Sequence, residues 1–132
     1  MGFIYEERAS DSPYLDTVTC GHSEGEGFTI RPAECQWHMV LARLRGETRM
    51  IVTGPCTTSG VVRFIDGVEL LWIRLKLGTY MPHLPTRSLL DVETTLPEAA
   101  CASFRLAGDA WQFPDFANVE TFIAQLARRE VL

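Results

Sequence analysis

The stretch from Glu69 to Leu77 limits what the chain can fold into more than any other. Leu71, Ile73, Leu75 and Leu77 alternate with Leu70, Trp72, Arg74 and Lys76. A period of two belongs to a strand: one face is wholly apolar, and the other grades from Leu70 and Trp72 to Arg74 and Lys76. Gly78 follows, then a turn over Tyr80-Met-Pro-His83, and Pro85 opens what reads as a short helix. A central strand that runs into a connection broken by Gly and Pro is a good wall for a pocket, yet it carries no catalytic signature.

The surrounding chain supports that strand with others. Phe3-Ile4-Tyr5 is a short apolar piece, and Glu6 to Pro13 reads as a polar, turn-rich stretch. Tyr14 to His22 alternates weakly, Ser23 to Gly27 reads as a glycine loop, and Phe28-Thr-Ile30 as a short strand end stopped at Arg31-Pro32. Trp37 to Arg43 predicts a strand that is apolar on both faces, as expected of one covered on both sides. Arg45-Gly46-Glu47 turns it back into Thr48–Thr53. Gly60 to Ile65 predicts a further strand that ends on the turn dipeptide Asp66-Gly67.

The C-terminal third is more mixed. Thr86 is an N-cap candidate for a short helix through Leu90, and Leu96-Pro97-Glu98 suggests another helical turn. Ser103 to Leu106 reads as a strand and Ala110 to Phe116 as an aromatic connection. From Asn118, a predicted N-cap, Val119, Phe122, Ile123 and Leu126 form a stripe at helical spacing, for packing or for a partner helix. The expected architecture is therefore mainly β: a small antiparallel barrel or sandwich over residues 1–117 with a short helix, then an amphipathic helix over 118–132.

At 132 residues the chain is the size of one domain. Its net charge of -5 argues against broad contact with a phosphate backbone. Cys20, Cys35, Cys56 and Cys101 contain no CxxC pair, which leaves zinc-knuckle and redox motifs without support. The N-terminus meets Glu6-Glu7-Arg8 at once, and no apolar run approaches a membrane span, so a cytoplasmic protein with reduced thiols is expected.

Chemistry-bearing patterns are few. His22, His38 and His83 lie in separate segments, so no metal site and no cofactor is expected, and a histidine hydrogen-bonded in or near a pocket is favoured. Gly54 to Gly60 is neither a phosphate loop nor a nucleophile elbow. Arg74 and Lys76 share a face with Trp72, which places a cation and an aromatic plane either in one cavity or toward solvent. The candidate ligand-binding residues are Trp37, His38, Trp72, Arg74, Tyr80 and His83. No catalytic residue is singled out.

Two stretches, Trp37-His-Met-Val-Leu-Ala-Arg-Leu-Arg-Gly46 with Val52-Thr-Gly-Pro55, and Trp72 through Pro85, resemble the N-terminal sensory domain of AraC-type transcriptional regulators. Ala110-Trp-Gln-Phe-Pro-Asp-Phe116 and the helix after it are similar to the segment before the DNA-binding half in one branch of that family. The likeness runs over about residues 3 to 132. It implies a cupin-like barrel that binds a small-molecule effector or pairs as a homodimer, joined in the family to two helix-turn-helix motifs. This chain shows no basic recognition helix, so it is expected to reach DNA only through a half that it lacks. The expected function is thus an effector-sensing or dimerisation domain, not an enzyme. A small cupin-like enzyme, with or without a metal, and an interaction module with no ligand are the alternatives.

Overall fold

The computed structural model describes residues 2–84, 89–100 and 102–132. Among them the chain is mainly β, with antiparallel sheets and one helix. The strands are β1 (Gly2–Ala9), β2 (Leu15–Glu24), β3 (Gly27–Arg31), β4 (His38–Leu44), β5 (Glu47–Thr53), β6 (Gly60–Phe64), β7 (Glu69–Leu75), β8 (Glu93–Thr95), β9 (Glu98–Ala99), β10 (Ser103–Leu106) and β11 (Asp109–Gln112), followed by helix α1 (Val119–Arg128). A six-stranded sheet has the order β1-β2-β7-β4-β5-β8, β3 pairs only with β6, and β11-β10-β9 form a third sheet.

The strand that dominates the sequence sits inside the large sheet, hydrogen-bonded to β2 on one side and β4 on the other. Its apolar face is Leu71, Ile73 and Leu75, all buried. Register carries this face across the sheet: Ile73 pairs with Val18 and Met39, Leu71 with Cys20 and Leu41, and Met39 with Val52. Against this layer pack Phe104, Leu106 and Trp111 from the small sheet and Val119, Phe122, Ile123 and Leu126 from α1, in one continuous core. The helical stripe is thus consumed within the chain. Leu77 departs from the expected face. The strand ends at Leu75, and Leu77 is 73 % exposed on the turn made by Gly78 at φ 91°.

The opposite face of the large sheet carries Thr17, Thr19, His38, Ala42, Leu70, Trp72 and Arg74. Over it lies the β3–β6 ribbon. Two connections cross from sheet to ribbon at one end, β2 to β3 and β6 to β7. Buried Ser23 fastens them: its hydroxyl donates to the Ile65 carbonyl at 2.5 Å and accepts from the Val68 N–H at 2.9 Å. The Asp66 carboxylate accepts from the Gly25 N–H at 2.7 Å. Asp66-Gly67 is therefore a turn between two sheets and not the tip of a hairpin, a distinction that a dipeptide alone does not encode.

Two hairpins have two-residue loops with both central residues at positive φ, the twist that suits right-handed strands. These are Arg45-Gly46 (φ 52° and 83°) between β4 and β5, and Ala107-Gly108 (φ 53° and 84°) between β10 and β11. The second turns the expected aromatic connection into a strand over residues 109–112. Ala-Gly is a weaker turn signal than Asn-Gly, and the strand shows only through its pairing with β10.

Other expectations are corrected by pairing as well. Glu6 to Ala9 continue β1 against Cys20 to Thr17 of β2, because ladder bonds to a neighbour outweigh local polarity. Leu96-Pro97-Glu98 is not a helical turn. Leu96 N–H donates to Met50 O at 2.8 Å, and Arg105 N–H to Pro97 O at 2.8 Å, which holds this segment extended between β5 and β10. The large sheet is open, with β1 and β8 at opposite edges, so the closed barrel is not observed and the arrangement is that of stacked antiparallel layers. The short helix expected at Thr86–Leu90 falls largely on residues 85–88, outside the described residues.

At the start of α1, Asn118 does not cap through its side chain. Its carboxamide oxygen accepts from Asp115 N–H, while Asp115 Oδ1 accepts from the N–H groups of Ala117 and Asn118. Arg8 of β1 pairs with Glu120 and lies 4.7 Å from the Phe116 ring centre. That guanidinium, hydrogen-bonded to Glu120, holds its carboxyl down at about 2. The edge strand and the helix are thereby tied.

Candidate functional site

Between the large sheet and the ribbon lies a cleft of about 590 Å³. Its walls follow from strand alternation. Phe3, Tyr5 and Glu7 come from β1, Thr17 and Thr19 from β2, and Leu70, Trp72 and Arg74 from β7. The ribbon contributes Thr29 and Arg31 from β3 and Val62 and Phe64 from β6. Phe3 and Phe64 meet across it, with ring centres 6.0 Å apart. Aromatic and aliphatic surface with a few polar groups converging on it is the usual make-up of a small-molecule site.

The polar groups form one relay at the β4–β7 wall. Trp72 Nε1–H donates to His38 Nδ1 at 2.5 Å, and the rings stand edge-on at 5.6 Å. An indole only donates, so Nδ1 must be the acceptor, and the imidazole is neutral with its proton on Nε2. That N–H faces Glu34 Oε1 at 2.8 Å. Glu34 Oε2 lies 3.6 Å from Arg74 Nη1, and Arg74 Nη2 is 3.1 Å from Asp16 Oδ2. Gln36 donates to the same Asp16 oxygen at 2.9 Å. Burial pushes the His38 pKa below its ordinary 6.5; Glu34 opposes that shift and Arg74 adds to it. A second proton on His38 would point an N–H at the Trp72 N–H, so protonation and this relay exclude each other.

Of the six candidate residues, the structure brings together His38, Trp72 and Arg74. Trp37 is 3 % exposed on the other face, in the core with Met39 and Leu41. Tyr80 is 51 % exposed and His83 is exposed, both on the connection beyond β7 and away from the cleft lining. Sequence reading missed Glu34, Asp16 and Arg31. Glu34 lies in the bend after β3, tied to the Gly54–Gly60 loop by paired backbone bonds with Cys56. No periodicity marks such a residue, although Arg31-Pro32-Ala33-Glu34 stood out as the end of a strand.

A second hollow of about 510 Å³ lies between β11 and α1, where Arg129 sits 5.5 Å from the Trp111 ring centre. Its aromatic floor is continuous with the core. Among the described residues no group of three or more His, Cys, Asp or Glu side chains is placed to hold a metal ion. Among the same residues no helix is long and apolar enough to cross a membrane. The site is thus a lined cleft with a neutral-histidine relay, in a stacked antiparallel β protein. No protein family, curated protein or solved structure matches the chain.

Proposed function

We propose that this chain is a small-molecule-sensing domain of the AraC regulator type, cytoplasmic, cupin-like in descent, and not itself an enzyme. The observation that carries the sensing reading is the cleft itself, aromatic-walled and bordered by the Trp72–His38–Glu34–Arg74 relay. Support for the family comes from the residues around Trp37–Gly46 and Trp72–Pro85. In mechanism, an effector seated under the ribbon binds one arrangement of β3–β6 more tightly than another and so shifts their populations. The link from β1 through Arg8 to Glu120 carries that shift to α1, and from there to any DNA-binding half that follows.

The neutral apolar fluorophore N-phenyl-1-naphthylamine tests the cleft. The wild type is expected to bind it with a blue-shifted emission. Val62→Trp, which fills the cleft from the ribbon side, and Ala42→Phe, which fills it from β4, are expected to weaken binding about tenfold or more while both variants still fold. Unchanged binding in two folded variants would remove the cleft as the site.

The reading also includes a homodimer. Since Val119, Phe122, Ile123 and Leu126 are buried inside the chain, two copies must meet on another surface. Sedimentation velocity over a concentration series is expected to show a dimer, and a monomer throughout would strike dimerisation from the reading.

A further inference from the structure

Resting on the cleft as a ligand site, the charge within it narrows the ligand's chemistry. Two arginines lie on cleft-facing strand positions, Arg31 and Arg74, against two carboxylates, Glu7 and Glu34. The acids are already engaged. Glu34 accepts from His38 and faces Arg74, and Glu7 accepts from the Thr19 hydroxyl at 3.0 Å.

The arginines are not equally engaged. Arg74 places Nη1 and Nη2 toward Glu34 and Asp16, yet its Nε–H is buried and meets no acceptor among the described residues. Arg31 is emptier still. It forms no ion pair among the described residues, and its one hydrogen bond is a 3.5 Å contact from Nη2 to the Thr58 carbonyl. Its Nε–H is likewise buried without an acceptor. Buried donors of a charged group that go unmade are costly, and native structures keep few of them. Arg31, Arg74 and His38 all line the same cleft.

We infer that the cleft takes a small monocarboxylate with an aromatic or aliphatic body, its carboxylate received by Arg31 and the Arg74 Nε–H and its body laid between Trp72 and Phe64. A planar carboxylate matches the fork of a guanidinium and supplies acceptors to both orphaned donors. The walls formed by Phe3, Val62, Phe64 and Trp72 select against small inorganic anions, which have no apolar body to bury.

Titration calorimetry with naphthalene-2-carboxylate and its neutral amide, 2-naphthamide, tests this. The carboxylate is expected to bind roughly 10- to 100-fold more tightly than the amide, the range for hydrogen bonds to a charged group. Arg31→Gln is the decisive variant, because among the described residues Arg31 makes no ion pair whose loss would disturb the fold. It is expected to bring the two affinities to within a few-fold of each other, with N-phenyl-1-naphthylamine binding retained. Equal affinities in the wild type, a preference that survives in Arg31→Gln, or no carboxylate binding would each overturn the inference. The neutral fluorophore separates the two claims: if it still binds, only the carboxylate is wrong, and if it does not, the cleft reading falls too.

Discussion

Phe104→Ala is expected to lower the stability of the chain by about 3–5 kcal/mol, the range for truncating a buried phenylalanine that leaves a cavity. Phe104 is 1 % exposed and is the bulkiest of the fully buried side chains. Its ring stacks on Phe113 at 5.4 Å and meets Phe122 at 6.0 Å with the planes 66° apart. It therefore bridges the small β9–β11 sheet and the helix, and its removal strips contacts from both. Because native domains are only marginally stable, a loss of that size empties much of the folded state near physiological temperature. Urea unfolding followed by circular dichroism measures it. A change below about 1 kcal/mol would mean that these layers do not share a core. Phe122 is buried in the same core, so Phe122→Glu is expected to lower stability rather than to alter association between copies.

Glu34→Ala carries the second large effect, expected at about 1–3 kcal/mol, the cost of leaving a buried donor unsatisfied. His38 is buried, and among the described residues its Nε2–H has no second acceptor once Glu34 is gone. Arg74 loses one of its two acidic partners in the same step. The relay also gives stability a pH dependence. Burial holds the folded imidazole below its ordinary 6.5, so the unfolded chain binds its proton first as pH falls. This contribution is complete above 6.5 and is lost as pH drops from there toward the folded pKa. His38→Gln keeps an acceptor for Trp72 and a donor for Glu34 but does not titrate. Urea midpoints measured from about pH 7.5 down to 5 are expected to show a slope in the wild type that His38→Gln removes. Identical slopes, or a Glu34→Ala midpoint equal to wild type, would mean that the relay is not formed.

Much of the β architecture was legible because alternation survives in short segments. Leu71, Ile73 and Leu75 declare one buried face, Trp37, Met39 and Leu41 another, and Phe122, Ile123 and Leu126 a helix that must cover something. These are statements about one strand or one helix at a time, and periodicity carries them well. Segments whose local chemistry disagrees with their partners were not legible. Glu6 to Ala9 look like a turn and are held as strand by β2, and Pro97 looks like a helix start and lies between two strands.

The site divided in the same way. Trp72 and Arg74 were placed on one strand face from sequence, whereas His38 joins them in the cleft only because β4 pairs with β7. Trp37 fell on the core face because it shares parity with Met39, and Tyr80 and His83 fell outside because β7 stops at Leu75.

What the sequence by itself determined is the mainly β character, the buried face of β7 and the amphipathic helix, since each follows from a repeat written in neighbouring residues. Only the tertiary structure decided that the sheet stays open, that the β3–β6 ribbon folds over the Trp72 face, and that Glu34 and Arg31 arrive beside His38. Those outcomes depend on which distant backbones pair and on where a bend between strands points a side chain, and neither is encoded in a local period.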